Sequence, residues 1–131
     1  MTSLLPAVVT AVAEVEAQFS DKKVEIEPDG SGGAYIVING INPGPAYTEC
    51  ESWLGFHISP LYPDADTYPL YLRADLTRVD GAAHTPPIVR LDTPWRERPA
   101  LQVSRSTKGC DPLVDTPALK AMGVIAWLAA Q

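Results

Sequence analysis

A chain of 131 residues, 46% of them hydrophobic, has the size of one domain and enough apolar material for a real core. Its formal net charge of −6 argues against nonspecific attraction to nucleic acid or to an anionic membrane. No stretch approaches the roughly 18 consecutive apolar residues of a membrane span. The apolar opening lacks a basic leader and is interrupted by Pro6, Glu14 and Glu16, so a secretory signal is not expected. A reducing cytoplasm is the expected setting, with Cys50 and Cys110 as free thiols.

In chain order, Leu5, Val8, Val12, Val15 and Phe19 recur at helical spacing. They predict an amphipathic helix from about Ser3, its N-cap, to Phe19. Lys23–Glu27 alternates as a first strand, Asp29-Gly30-Ser31-Gly32-Gly33 reads as a hairpin turn, and Ala34–Ile38 returns. Trp53–Ile58 and Leu70–Leu76 predict the third and fourth strands of an antiparallel meander. Between them, Ser59–Pro69 carries two Tyr-Pro pairs. Each proline holds φ near about −65° and pushes the residue before it toward extended backbone, so this connection reads as a stiff shelf.

From Ala82 to Asp115 the chain is rich in Pro, Arg, Thr and Ser, with two short strand-like pieces, Ile88–Leu91 and Leu101–Ser104. So long a segment without a long element is often functional. Thr116 as N-cap and Pro117 at the first helical position open a closing helix. Its predicted apolar stripe is Leu119, Met122, Ile125 or Ala126, and Leu128 or Ala129. Gly123 within it reads as a site of close packing, at a cost of about 1 kcal/mol against alanine. The expected fold is α+β in a single domain spanning residues 1–131: an N-terminal helix, a four-stranded antiparallel meander, an irregular segment and a C-terminal helix.

Few residues carry chemistry. Cys110 lies in Lys108-Gly109-Cys110-Asp111-Pro112, where Lys108 and Arg105 favour a thiolate and Asp111 opposes it. Read alone, it is equally a half-buried structural thiol. Cys50 sits between Glu49 and Glu51, which disfavour a thiolate. Ser104-Arg105-Ser106, read alone, is a solvated strand end. His57 falls with the outward residues of its strand, and Asp64 and Asp66 read as turn chemistry. Trp95 in Pro94-Trp95-Arg96 reads either as a protein-contact anchor or as a plug beneath the irregular segment. Two histidines and two cysteines at scattered spacing give no metal signature. There is no phosphate loop, and no cofactor is expected.

The order of elements, with Leu61-Tyr62-Pro63 and Tyr68-Pro69 before the fourth strand and His84-Thr85-Pro86-Pro87 after it, resembles the ubiquitin-conjugating-enzyme family. In that family a His-Pro-Asn element precedes a nucleophilic cysteine; here the histidine and a proline are kept, without the asparagine. Leu101-Gln102-Val103-Ser104-Arg105, then Asp111-Pro112 and one Trp-containing terminal helix, are similar to the compact bacterial members. Those accompany ubiquitin-like proteins and adenylating activating enzymes. The resemblance implies a conjugating enzyme that accepts a ubiquitin-like protein from its activating enzyme as an ester or thioester and passes it to an amine on a target lysine. It sets the nucleophile further from the last helix than Cys110, at Ser104 or Ser106, with Ser104 ahead of Ser106 and Cys110. A serine there gives an oxyester and needs activation. On the same resemblance His84 supplies the base, and Arg105 stabilises the developing oxyanion in place of the family's asparagine. The alternative is a noncatalytic module of the same fold that binds a ubiquitin-like protein or scaffolds a complex.

Overall fold

Alternation of apolar and polar side chains decides the sheet. The computed structural model describes residues 4–62, 70–84, 88–90, 94–103 and 116–130. Within these, six strands form one antiparallel sheet: β1 (Val24–Pro28), β2 (Ala34–Ile41), β3 (Ser52–Ile58), β4 (Leu70–Arg73), β5 (Ile88–Arg90) and β6 (Ala100–Val103). Their order across the sheet is β1-β2-β3-β4-β6-β5. The register lines up Ile26, Ile36, Phe56, Leu70, Val103 and Ile88 in one apolar row that crosses every strand. Ile36, Phe56, Leu70 and Val103 are fully buried, and each such side chain contributes about 1.5–3 kcal/mol. The neighbouring row, on the opposite face, runs Glu25, Val37, Gly55, Tyr71, Gln102 and Val89.

Two helices, α1 (Pro6–Gln18) and α2 (Pro117–Ala129), cover the apolar face. α1 buries Val8, Val12 and Val15 as its periodicity predicts, together with Ala11, and Phe19 follows inside just past its end, while Leu5, expected on the same stripe, is exposed. The helices meet where the Thr116 hydroxyl donates to Glu14 Oε1 at 2.6 Å. The last turn of α2 lies directly on Gly44. That residue sits at φ +100°, and a Cβ there would meet the Ala129 Cα and the Leu128 carbonyl. Among the described residues, no helix is long and apolar enough to cross a membrane.

Five expectations are corrected. The meander β1–β4 is present, but the described sheet has six strands, because Ile88–Arg90 and Ala100–Val103, within or beside the expected short pieces, form β5 and β6. An unpaired edge on β4, beside a buried apolar row, would leave backbone polar groups unsatisfied. β6 satisfies them through pairing from Leu70↔Val103 to Arg73↔Ala100. β4 itself stops at Arg73 instead of Leu76. Its guanidinium turns onto the Asp75 carboxylate at 2.6 Å and the Glu51 carbonyl at 2.9 Å, while Leu76 drops into the core.

The first helix begins at Pro6, not Ser3, which lies outside the described residues. Leu5, preceding proline, is held extended at φ −68° and ψ 151° and donates its N–H to the Gly32 carbonyl. The closing helix is capped as predicted, with Thr116 Oγ1 accepting from the Leu119 N–H at 3.3 Å. Its buried stripe is shifted by one position. Ala118, Ala121, Val124 and Leu128 face inward, whereas Leu119 and Met122 are exposed. Gly123 consequently faces open space, with nothing within 4 Å of a Cβ built there. Gly123→Ala is expected to stabilise the fold by about 1 kcal/mol, seen as a higher urea midpoint at unchanged slope.

Candidate functional site

After β4 the chain runs back along the segment that follows β2. The Thr48 N–H donates to the Thr77 carbonyl, the Val79 N–H donates to the Ala46 carbonyl, and Tyr47 and Arg78 form an isolated antiparallel bridge. Two carboxylates lock this return. Glu49 accepts from the Thr77 N–H at 2.6 Å and from its hydroxyl at 2.9 Å. Asp80 pairs with Arg78 at 3.2 Å and accepts from the Ala82 N–H at 2.9 Å. The Thr77 N–H holds the Glu49 carboxyl below its ordinary range, and the Arg78 guanidinium does the same for Asp80.

This frame delivers His84. Its Nε2 lies 2.8 Å from the Leu76 carbonyl. A carbonyl only accepts, so Nε2 carries the proton and the neutral ring keeps its lone pair on Nδ1. Nδ1 is shut off from solvent and has no hydrogen-bond partner among the described residues. A shielded, unpaired imidazole nitrogen is a cost unless something uses it. The Tyr47 ring lies against the imidazole, 6.0 Å between centroids with planes 28° apart, and holds its orientation. A cavity of about 340 Å³ runs along Leu76, Thr77, Arg78 and Gly81 to His84. A ring held this way can accept one proton at Nδ1 while Nε2 keeps the other, donated to the Leu76 carbonyl.

Of the candidate catalytic residues, His84 is placed in this cleft, while Ser104, Arg105, Ser106 and Cys110 lie outside the described residues. Tyr62 packs against the core as framework, and Pro63 to Pro69 are likewise outside the described residues. Cys50 is an exposed free thiol. No group of three or more His, Cys, Asp or Glu residues placed to hold a metal occurs among the described residues. A larger groove, about 740 Å³, lies beside Trp53, Arg73 and Arg98. Its arginines are already engaged, Arg73 by Asp75 and Arg98 by Glu25. Volume without converging available groups makes it the weaker candidate.

Sequence reasoning missed the most elaborated surface, on the sheet face opposite the helices. The Trp95 indole fills the space above Gly55, where a Cβ would collide with indole Cζ3. Trp95 therefore plugs the outer face of the sheet and not the core beneath the irregular segment. It stacks on Tyr71 (4.7 Å, 16°) and on Trp53 (5.8 Å, 18°), and meets Tyr35 edge-on at 6.4 Å. A two-residue turn carries it. Trp95 and Arg98 exchange both backbone hydrogen bonds, at 2.8 and 2.9 Å, around Arg96 at φ 49° and Glu97 at φ 69°.

Side chains other than glycine in that region cost about 1–2 kcal/mol each. Aromatic pairs return about 0.5–1.5 kcal/mol each beyond their buried area. Ion pairs add to the hold. Arg96 bonds Glu27 at 2.7 Å and lies 4.0 Å over the Tyr35 ring. Arg98 reaches Glu25 at 3.3 Å and lies 5.5 Å from the centroid of Trp53. The Glu25 carboxyl is held below its ordinary range chiefly by the Asn39 amide, at 2.9 Å, with help from Arg98 against the opposing effect of burial.

A signal existed. Arg96 and Arg98 are spaced by two, as are Glu25 and Glu27, and a glycine interrupts a strand between Trp53 and His57. Gly55→Ala is expected to expel the indole, shifting tryptophan emission to longer wavelength and costing about 1–3 kcal/mol as an overpacked site. His57, on the same face, stacks on Tyr35 at 4.5 Å and places Nε2 2.7 Å from Asp29 Oδ2. Compared with family models, curated proteins and solved structures, the chain matches none.

Proposed function

We propose that this domain is a carrier of the ubiquitin-conjugating type, accepting a ubiquitin-like protein from an adenylating activating enzyme and transferring it to an amine. The observation that carries this reading is His84. It follows the fourth strand and lines the cleft, its tautomer is fixed by the Leu76 carbonyl, and its Nδ1 has no hydrogen-bond partner among the described residues. The order of helix, antiparallel meander and closing helix supports it as well. In the first step, a Ser104, Ser106 or Cys110 nucleophile attacks the carbonyl carbon of the acyl donor. Its proton passes to His84 Nδ1 and the activating enzyme's thiolate departs. In the second, the target amine attacks the ester or thioester, and the nucleophile leaves with a proton. Arg105 is assigned to the charge on the oxyanion.

The test is a denaturing gel of the chain with a cognate activating enzyme, ATP and a ubiquitin-like protein. A hydroxylamine-labile, thiol-resistant adduct that disappears in Ser104→Ala supports the serine version. Loss in Cys110→Ala alone assigns the cysteine. A noncatalytic binding module is the second reading, favoured by the missing asparagine in His84-Thr85-Pro86-Pro87. It predicts ATP-independent binding with no adduct in any of these reactions.

A further inference from the structure

The turn that carries Trp95 has the form of a ligand bound to its own sheet. Gly55 is the floor of a slot, Trp53 and Tyr71 flank it, and the carboxylates of Glu25 and Glu27 stand at the rim on the edge strand β1. The element seated there presents one indole and, one and three residues further on, two guanidinium groups that meet Glu27 and Glu25. Its own backbone bonds are internal, between Trp95 and Arg98. Both central residues sit at positive φ without being glycine, a conformation such residues leave readily when released. The latch is exposed: the Glu27 side chain is 64% and the Glu25 side chain 41% accessible, so salt and competing cations reach it.

We infer that the turn at residues 94–98 is a built-in competitor that closes a recognition slot. The slot takes a tight turn of a partner protein with an aromatic residue followed by basic residues at the first and third positions after it, since in an extended segment those positions would face away from the aromatic. The seated turn shows which side chains fit, and the chain's net charge of −6 favours a basic segment over an acidic one. Binding requires the turn to lift, so the apparent affinity is reduced by the fraction of molecules in which it is open. The inference does not draw on the His84 cleft and fails or holds independently of the conjugating reading.

The probe is the capped hexapeptide Pro-Trp-Arg-Glu-Arg-Pro, titrated into the full chain by calorimetry and by amide shifts at Gly55. Trp95→Ala empties the slot and is expected to bind the peptide at least about ten-fold more tightly than the wild type. Glu25→Lys with Glu27→Lys on that background removes the gain. Where Trp95→Ala does not fold, Arg96→Ala with Arg98→Ala unlatches the turn, leaves every ring in place and likewise binds the peptide more tightly than the wild type. Equal binding by wild type and variants, binding indifferent to Glu25 and Glu27, or shifts remote from Gly55 overturn the inference. Concentration-dependent dimerisation that competes with the peptide assigns the slot to a second copy of the chain and also overturns it.

Discussion

Asp29→Ala is expected to destabilise the fold by about 3 kcal/mol, from the loss of two turn hydrogen bonds and one charge-assisted bond. The Asp29 side chain is 6% exposed. Its Oδ1 accepts from the Ser31 N–H at 2.7 Å and the Gly33 N–H at 2.9 Å, which closes the β1–β2 turn. Its Oδ2 meets His57 Nε2 at 2.7 Å and so ties that turn to β3. Gly33 is the only residue type this arrangement admits without rearrangement, because a Cβ would collide with Asp29 Oδ2 and the Ile58 carbonyl. Alanine leaves two turn donors unpaired and cuts the link to β3. Asn keeps one acceptor for the turn, so Asp29→Asn is expected to cost less, about 1–2 kcal/mol.

The same carboxylate sets a pH dependence. Burial raises its pKa, but hydrogen bonds from His57, Ser31 and Gly33 outweigh burial and hold it below the ordinary 3.8. The unfolded chain therefore takes up the proton first as pH falls. Between the unfolded and the lower folded value the unfolded state binds more protons, and stability rises with pH. The contribution is complete above the unfolded value and disappears as pH falls through the folded one. Urea midpoints followed from about pH 7 down to about pH 3 are expected to fall more steeply for the wild type than for Asp29→Asn at the acid end.

How much of this was readable in advance depends on the length and contrast of each pattern. The α1 stripe and the strands β1 to β3 have enough alternating positions to stand out, and Thr116-Pro117 marks a helix start on local chemistry alone. β5 and β6 have three and four residues, too few alternations to separate them from the irregular segment around them. What makes them strands is the edge of β4, which lies far from them in sequence. The stripe of α2 was misphased because Pro117–Ala129 has one charged residue, Lys120. With apolar residues on nearly every side, periodicity cannot choose a face, and packing chose the small ones. The Trp95–Gly55 contact joins distant positions, and nothing local to either announces the other. In the cleft the histidine was singled out only through the resemblance. Its tautomer was not, because a backbone carbonyl sets it, and every residue has one.

On the conjugating reading, His84→Ala is expected to slow adduct formation by about 10²–10⁴-fold, the range supplied by a positioned general base. Losing the Nε2–Leu76 bond costs about 1 kcal/mol of stability, too little to unfold an ordinary domain or to account for so large a drop in rate. A structural histidine would instead lower stability and leave the rate of the folded fraction unchanged. The rate of adduct formation per folded molecule, set beside the urea midpoint, separates these cases. Tyr47→Leu removes the flat face that orients His84 and should lower the rate by less than His84→Ala does, since the base is still present but less well aimed. An unchanged rate in folded His84→Ala would remove the histidine from the chemistry. The proton of the nucleophile would then have to leave by another group.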